Sequence, residues 1–305
     1  MRHLLLDEIA SGSFGTVYRA FDFKHSRVFA IKVLHDEGGD DGLWANWQAA
    51  AYRGEGLILP SLNHQHIIRS FHSQGWGTPR VEIHMDLMDG TLRALAHSRP
   101  SATYPLLAHH ALHQMLQALD YLDSLDLVHR DIKPDNIFYT YTHSTFHSQV
   151  QQQQLHPGGH YPYHFRLGDF GLCDHASRIP RTLGTKMFFA PELFPDDDDD
   201  DDDDRGGLPQ LQSHKSDVWA LYVTTLWTLD VGQVRAAAAL GWRNGGAAGF
   251  AAYVGGLVEE EEEGGKGKVG ALRGWRRLIR GRGGVRGEVL GGLFGGVGGL
   301  GGGEG

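Results

Sequence analysis

Apolar and polar positions alternate with a period of two over the first part of the chain. Further on they shift to a helical period. Residues 4 to 9 and 16 to 21 read as two strands around a glycine-bearing turn, "ASGSFG". Residues 27 to 34, "RVFAIKVL", form a third strand. Period two puts Val28, Ala30 and Lys32 on one face and Phe29, Ile31 and Val33 on the other. A lysine aligned with small and branched apolar residues is out of place on a solvated face; it suits a partly apolar ligand cleft. Residues 80 to 88, "RVEIHMDLM", give another strand, which leads to a turn at Asp89-Gly90. Leu112, Met115, Leu116, Leu119 and Leu122 then follow the i, i+3, i+4, i+7 rule of an amphipathic helix. Strands first and helices afterwards predict a segregated α+β arrangement.

Composition divides the chain. Up to about residue 228 it is that of an ordinary globular protein with two inserts: a glutamine-rich one at 142–164, and one at 196–207 that opens on the aspartate run Asp196–Asp204. Beyond Thr228 glycine rises to roughly a third of residues, far above the usual ~7%. Glu259–Glu263 and the arginine-rich "RGWRRLIRGRGGVRG" follow there. So many glycines do not easily offset their ordering entropy, so 229–305 is expected to be a disordered low-complexity tail. The aspartate run is expected to be a solvated spacer whose like charges keep it extended.

The net charge of -9 argues against binding nucleic acid through its phosphates. One cysteine, Cys173, rules out a disulfide framework within the chain and fits a reducing, intracellular compartment, cytoplasm or nucleus. The start, "MRHLLLDEIA", is too short and too soon acidic for a signal peptide, and no apolar run is long enough to predict a membrane span.

Several short stretches carry candidate chemistry. Gly12 and Gly15 allow backbone amides to approach a phosphate, as they also allow a plain tight hairpin. Lys32 needs a counter-charge if it is buried, and Glu55 is the candidate, although Gly54 and Gly56 beside it weaken the expected helix. In "LVHRDIKPDN", residues 127–136, Asp131 beside Lys133 can orient a hydroxyl and take its proton, and the Asn136 carbonyl suits Mg²⁺. In "LGDFG", residues 167–171, Asp169 is the expected metal-binding carboxylate. His109 with His113, and His64 with His66, read as ordinary histidines rather than metal ligands.

Taken in order, "IASGSFGTV", "FAIK", Glu55, "HRDIKPDN", "DFG", "GTKMFFAPE" and "SDVWAL" resemble the eukaryotic protein kinases, the Ser/Thr branch in particular. The resemblance covers roughly residues 4 to 228. It implies a bilobal fold: a small β-rich N-lobe with one main helix, about 1–87, and a mostly helical C-lobe, about 88–228. It implies ATP and Mg²⁺ as cofactors and a protein substrate with a Ser/Thr acceptor, and it assigns no oligomeric state. Asp131 would be the catalytic base, Lys133 would neutralise the transferring phosphoryl group, and Lys32 would grip the phosphates, positioned by Glu55. Asn136 and Asp169 would hold the metal. Nucleotide would further meet Ile9, Gly12, Ser13, Gly15, Val17 and Ala30, the gatekeeper Met85, and the backbone of Asp86 and Met88. Thr185 would contact the catalytic loop, and Arg130 suits pairing with a phosphate on the activation segment.

Departures from the pattern are Ala10 for the first loop glycine, Phe188 for tyrosine and Tyr222 for glycine. The largest comes after Thr228, where further amphipathic helices, and an arginine to pair with Glu192, are expected. Arg276, Arg277 and Arg280 lie at a plausible distance in an unmatched context. The C-lobe is therefore read as truncated or aberrant, as a frame-shifted or intron-read gene would give. The alternatives to an active kinase are a kinase-like nucleotide-binding or scaffold protein, and a truncated product.

Overall fold

The computed structural model describes residues 3–12, 15–35, 48–141, 163–179, 182–194, 211–241 and 246–254. Two compact units divide the chain: Met1–Arg99 with Pro134–His175, and Pro100–Lys133 with Ala176–Gly305. The boundary expected near residue 87 is therefore not where the contacts divide. Ile68 N donates to Leu167 O and Arg93 N to Pro134 O, so the segment after Pro134 folds back onto the first unit.

The first unit is built on an antiparallel sheet of β1 (His3–Gly12), β2 (Gly15–Asp22), β3 (Arg27–His35), β4 (Ser70–Gln74) and β5 (Arg80–Met85), in the order β1-β2-β3-β5-β4. Alternation on β3 works as its pattern predicts. Phe29, Ile31 and Val33 pack with Ala20 on one face. Leu34, on the opposite face with Ala30 and Lys32, packs with Val81, Ile83 and Ala51. Ala51 belongs to helix α1, residues 48–61, whose middle turns, Tyr52–Ile58, are π-wound. The β1–β2 turn needs Gly15, whose φ is +123°, and a Cβ there would stand 2.2 Å from Val33 O. The strand expected over 80–88 ends at Met85, and the next amide, Asp86 N, donates to Arg69 O. β1 is an edge strand, and its Leu4, Leu5, Leu6 and Ile9 remain exposed.

The second sheet of this unit joins β6 (Gly90–Thr91), β8 (Ile137–Tyr141) and β9 (Tyr163–Leu167). Between β6 and β8 the chain forms α2 (Leu92–Ser98), α3 (Tyr104–Ser124) and β7 (Leu127–Val128), of which α3 and β7 belong to the second unit. The glutamine-rich insert does join two strands, but Tyr163 and His164, expected within it, already belong to β9. Its residues 142–162, and 195–210 with the aspartate run, lie outside the described residues.

In the second unit the five predicted apolar positions of α3 are all buried. They pack with α4 (His214–Leu229), which is buried from Ser216 to Thr228. Regular structure does not stop at Thr228. A 3-10 turn, Val231–Gln233, leads to α5 (Val234–Gly241), and residues 246–254 are helical again. Arg235 explains the continuation. Its Nε and Nη2 donate to Trp227 O and Thr228 O at 2.9 and 3.0 Å, its Nη1 donates to Tyr104 Oη at 3.0 Å, and the guanidinium covers the Tyr104 and Trp227 rings. It thus satisfies carbonyls that the end of α4 would leave open. The tail from residue 255, including Arg276, Arg277 and Arg280, lies outside the described residues. Among the described residues no helix is long and apolar enough to cross a membrane.

Two stability predictions follow from these contacts. Arg235→Ala is expected to cost about 2–3 kcal/mol, and Arg235→Lys to recover little of it, because only a planar fork reaches both carbonyls and both rings. Denaturant melts of the three chains measure this. The second concerns His84, fully buried against Phe29, Phe71, His3 and His72. Burial pushes its imidazole down to about 4 from 6.5; His72 and His3 add to the effect and Glu82 opposes it. A depressed histidine contributes stability that is present above pH 6.5 and lost as pH falls toward 4. The melting temperature should fall across that window, and less steeply in His84→Phe.

Candidate active site

In the first unit three charged side chains from separate elements meet. Lys32 Nζ on β3 lies 2.8 Å from Glu55 Oε1 on α1 and 2.8 Å from Asp169 Oδ1 just after β9. Glu55 is 1% exposed. Burial works to lower the Lys32 pKa, but the Asp169 and Glu55 carboxylates outweigh it and hold the ammonium above the ordinary lysine range. Burial raises the Glu55 carboxyl; Lys32 offsets part of this and Asp169 adds to it. The two directions are consistent, since one ammonium serves two carboxylates and the more deeply buried one bears the larger desolvation cost.

Asn136 is buried beside this trio in the chain path, its backbone carbonyl accepting from Gly168 N at 2.9 Å. Asp169 itself has φ +58°. Ala30 pairs with Met85 across β3 and β5, and Val17 pairs with Lys32 across β2 and β3. Gly12 pairs with Gly15 at the end of the β1–β2 hairpin, while Ser13 lies outside the described residues. Ile9 sits at a β-bulge and is exposed. Beyond Met85, Asp86 and Met88 are half-buried. The Asp86 carboxylate accepts from Arg166 Nη1 at 2.6 Å, a contact that no local pattern in the sequence announces.

Asp131 and Lys133 belong to the second unit, because the division falls between Lys133 and Pro134. Asp131 Oδ1 accepts from the Thr185 amide at 2.9 Å and the Thr185 hydroxyl at 2.7 Å. Lys133 Nζ donates to Asp131 Oδ2 and to Thr185 Oγ1, both at 2.8 Å. The expected contact of Thr185 with the loop at 127–136 is thus present. The loop is held from below by α4. His129 N and Arg130 N donate to Asp217 Oδ2 and Oδ1 at 2.6 and 2.9 Å. Burial pushes the Asp217 carboxyl up to about 7, against those two donors and Arg130. Gln212 adds a clamp that sequence reading missed: it bonds both the amide and the carbonyl of Leu183 and reaches Arg130 O. Nothing around it in the sequence is periodic or motif-like.

A family model described as "Protein kinase domain" matches residues 4–233. The chain is similar to Serine/threonine-protein kinase 1 of Arabidopsis thaliana, 28% identical over 74% of this chain and 23% of that protein. It is similar to Serine/threonine-protein kinase 33 of Mus musculus, 29% identical over 61% and 35%. It is also similar to Serine/threonine-protein kinase fused of Drosophila melanogaster, 28% identical over 72% and 23%. The aligned part is about a quarter to a third of the length of these relatives.

Asp217→Asn tests the support of the loop at 127–136. The amide keeps the size of the carboxylate but turns an N–H toward one of the two backbone donors. A cost of about 2–3 kcal/mol in a denaturant melt is expected from one buried donor left unbonded.

Proposed function

The chain belongs to the protein kinase domain family, and from that premise we propose that it transfers the γ-phosphate of ATP to a serine or threonine hydroxyl of a protein substrate. The observation that carries this reading is the Lys32–Glu55–Asp169 trio. Its members lie 23 and 137 residues from Lys32 in sequence. Convergence over such separations is what phosphoryl transfer needs, since its catalysis is mostly positioning and charge stabilisation.

In this reading Lys32 holds the α- and β-phosphates while Glu55 fixes its ammonium. Ala30, Val17 and Met85 supply the apolar surface for the adenine ring, and the backbone of Asp86 and Met88 its polar edge. Gly12 and Gly15 leave amides close to the phosphates. Asp131 takes the proton of the attacking hydroxyl. Its second oxygen is held by Lys133, whose role in this reading is to neutralise the transferring phosphoryl group. The bonds from Thr185 aim the Asp131 carboxylate.

Asn136 and Asp169 would hold Mg²⁺. Both offer hard oxygen donors, and the trio, with two carboxylates to one ammonium, is short of positive charge. When bound, the ion supplies charge neutralisation to the phosphates. An intracellular location is part of the proposal; it rests on the chain's one cysteine, Cys173, too few for a disulfide framework within the chain.

Transfer of labelled phosphate from Mg-ATP to a generic Ser/Thr substrate tests the reading on the 305-residue chain. Asp131→Asn is expected to lose about 10²–10⁴-fold in kcat. Lys32→Met should lose comparably and still melt cooperatively, though at a lower temperature than the parent, because it leaves the buried Glu55 carboxylate without its ammonium. A folded parent that transfers nothing, or an Asp131→Asn chain as fast as the parent, would overturn it.

A further inference from the structure

Glycine inside a helix costs roughly 1 kcal/mol relative to alanine. α1 carries two, one on each side of Glu55. Their surroundings differ. A Cβ built on Gly54 would stand 1.8 Å from the Phe170 carbonyl oxygen and 2.9 Å from its carbon. Both are backbone atoms, and neither can swing aside. A Cβ on Gly56 would meet Tyr52 Cδ2 at 2.6 Å and Trp76 Cζ2 at 3.0 Å, which are side chains, and Tyr52 is exposed.

The backbone of α1 at Gly54 therefore rests directly on the residue that follows Asp169. This contact lies in the π-wound turns Tyr52–Ile58, a winding that is rare and persists where the surroundings impose it. The same turns deliver Glu55 to Lys32, and Lys32 reaches Asp169. A ring of contacts closes: the Phe170 carbonyl, Gly54, Glu55, Lys32, Asp169 and back along the chain to Phe170.

We propose that Gly54 is a positioning residue for phosphoryl transfer: its missing side chain seats the π-wound turn on the Phe170 carbonyl and so fixes Glu55 against Lys32. The effect on transfer rests on the kinase reading above; the effect on Lys32 does not. Ordinary contact begins near 3.4 Å, so a methyl group at Gly54 forces the backbones apart by about 1.6 Å. A displacement of about 1 Å at a positioning element can cost on the order of 100-fold in rate. Helix propensity alone predicts the reverse, a more stable and fully active Gly54→Ala.

The experiment compares the parent, Gly54→Ala and Gly56→Ala as full chains. Each is melted, assayed for transfer, and treated with an amine-reactive ester while labelling of Lys32 is followed by mass spectrometry. Gly54→Ala should melt cooperatively, lose about 100-fold in kcat/KM, and label at Lys32 about tenfold faster, because moving the π-wound turn off Phe170 uncovers a side chain that is only 12% exposed in the parent. Gly56→Ala should stay within about threefold of the parent in both readouts, since side chains rather than backbone must move. In a Glu55→Gln background the added loss from Gly54→Ala should largely disappear, whereas independent effects would multiply. Parent-like labelling of Lys32 in Gly54→Ala overturns the proposal. So does loss of the cooperative melt, which would make Gly54 a requirement of the fold, and so does an equal effect from Gly56→Ala. Faster labelling in Gly54→Ala alone, with a parent that transfers no phosphate, upholds the role of Gly54 and removes the kinase reading.

Discussion

One ammonium shared between two carboxylates sets the terms for the first unit. Glu55 is almost wholly removed from water, and a carboxylate there without a partner would cost several kcal/mol. Lys32 is the partner, but it also serves Asp169. The neighbouring elements are constrained accordingly. β3 must keep its alternation so that Lys32 points to the α1 side. α1 must come close enough for a 2.8 Å contact. The Asp169 segment must turn back, and it does so at a residue with φ +58°. None of these elements can shift alone without leaving a buried charge unmatched.

The second unit uses a buried carboxylate in another way. Asp217 is matched chiefly by two backbone N–H groups, those of His129 and Arg130. This fixes the path of the main chain rather than the position of a charge. Asp131, next in sequence, is then aimed by Thr185 and Lys133. The difference suits the roles proposed for Lys32 and Asp131: a group that holds phosphates needs an adjustable charge balance, whereas a base needs a fixed direction.

Much of this was legible in the sequence because the signals are local. Alternation identified β3 and the facing of Lys32, and the helical period of α3 named five residues that are all buried. Asp131, Lys133 and Asn136 sit within six positions of one another, and Asp169 lies in an equally compact stretch. What stayed hidden depends on partners far along the chain. The Asp86–Arg166 pair spans 80 residues, and the clamp from Gln212 to Arg130 spans 82. The two glycines of α1 were visible, but only as weak points in a helix. Their different neighbours, a backbone carbonyl for Gly54 and aromatic side chains for Gly56, exist only once the chain has folded.

The boundary at Thr228 shows where composition misleads. Glycine enrichment averaged over the whole tail conceals that the first residues after α4 hold few glycines: "DVGQVRAAAALG" holds a run of four alanines, the best helix formers. The end of a buried helix is itself a demand on the next segment, because its last carbonyls have no intrahelical partner. Asp230 takes the left-handed conformation that reverses the chain, and its side chain accepts from Arg235 N. That reversal brings the Arg235 guanidinium back over Trp227 and Thr228. A segment with no resemblance to the family's usual helices can therefore still close α4. What it must supply is one well-placed fork of donors and a short stretch of helix to hold it.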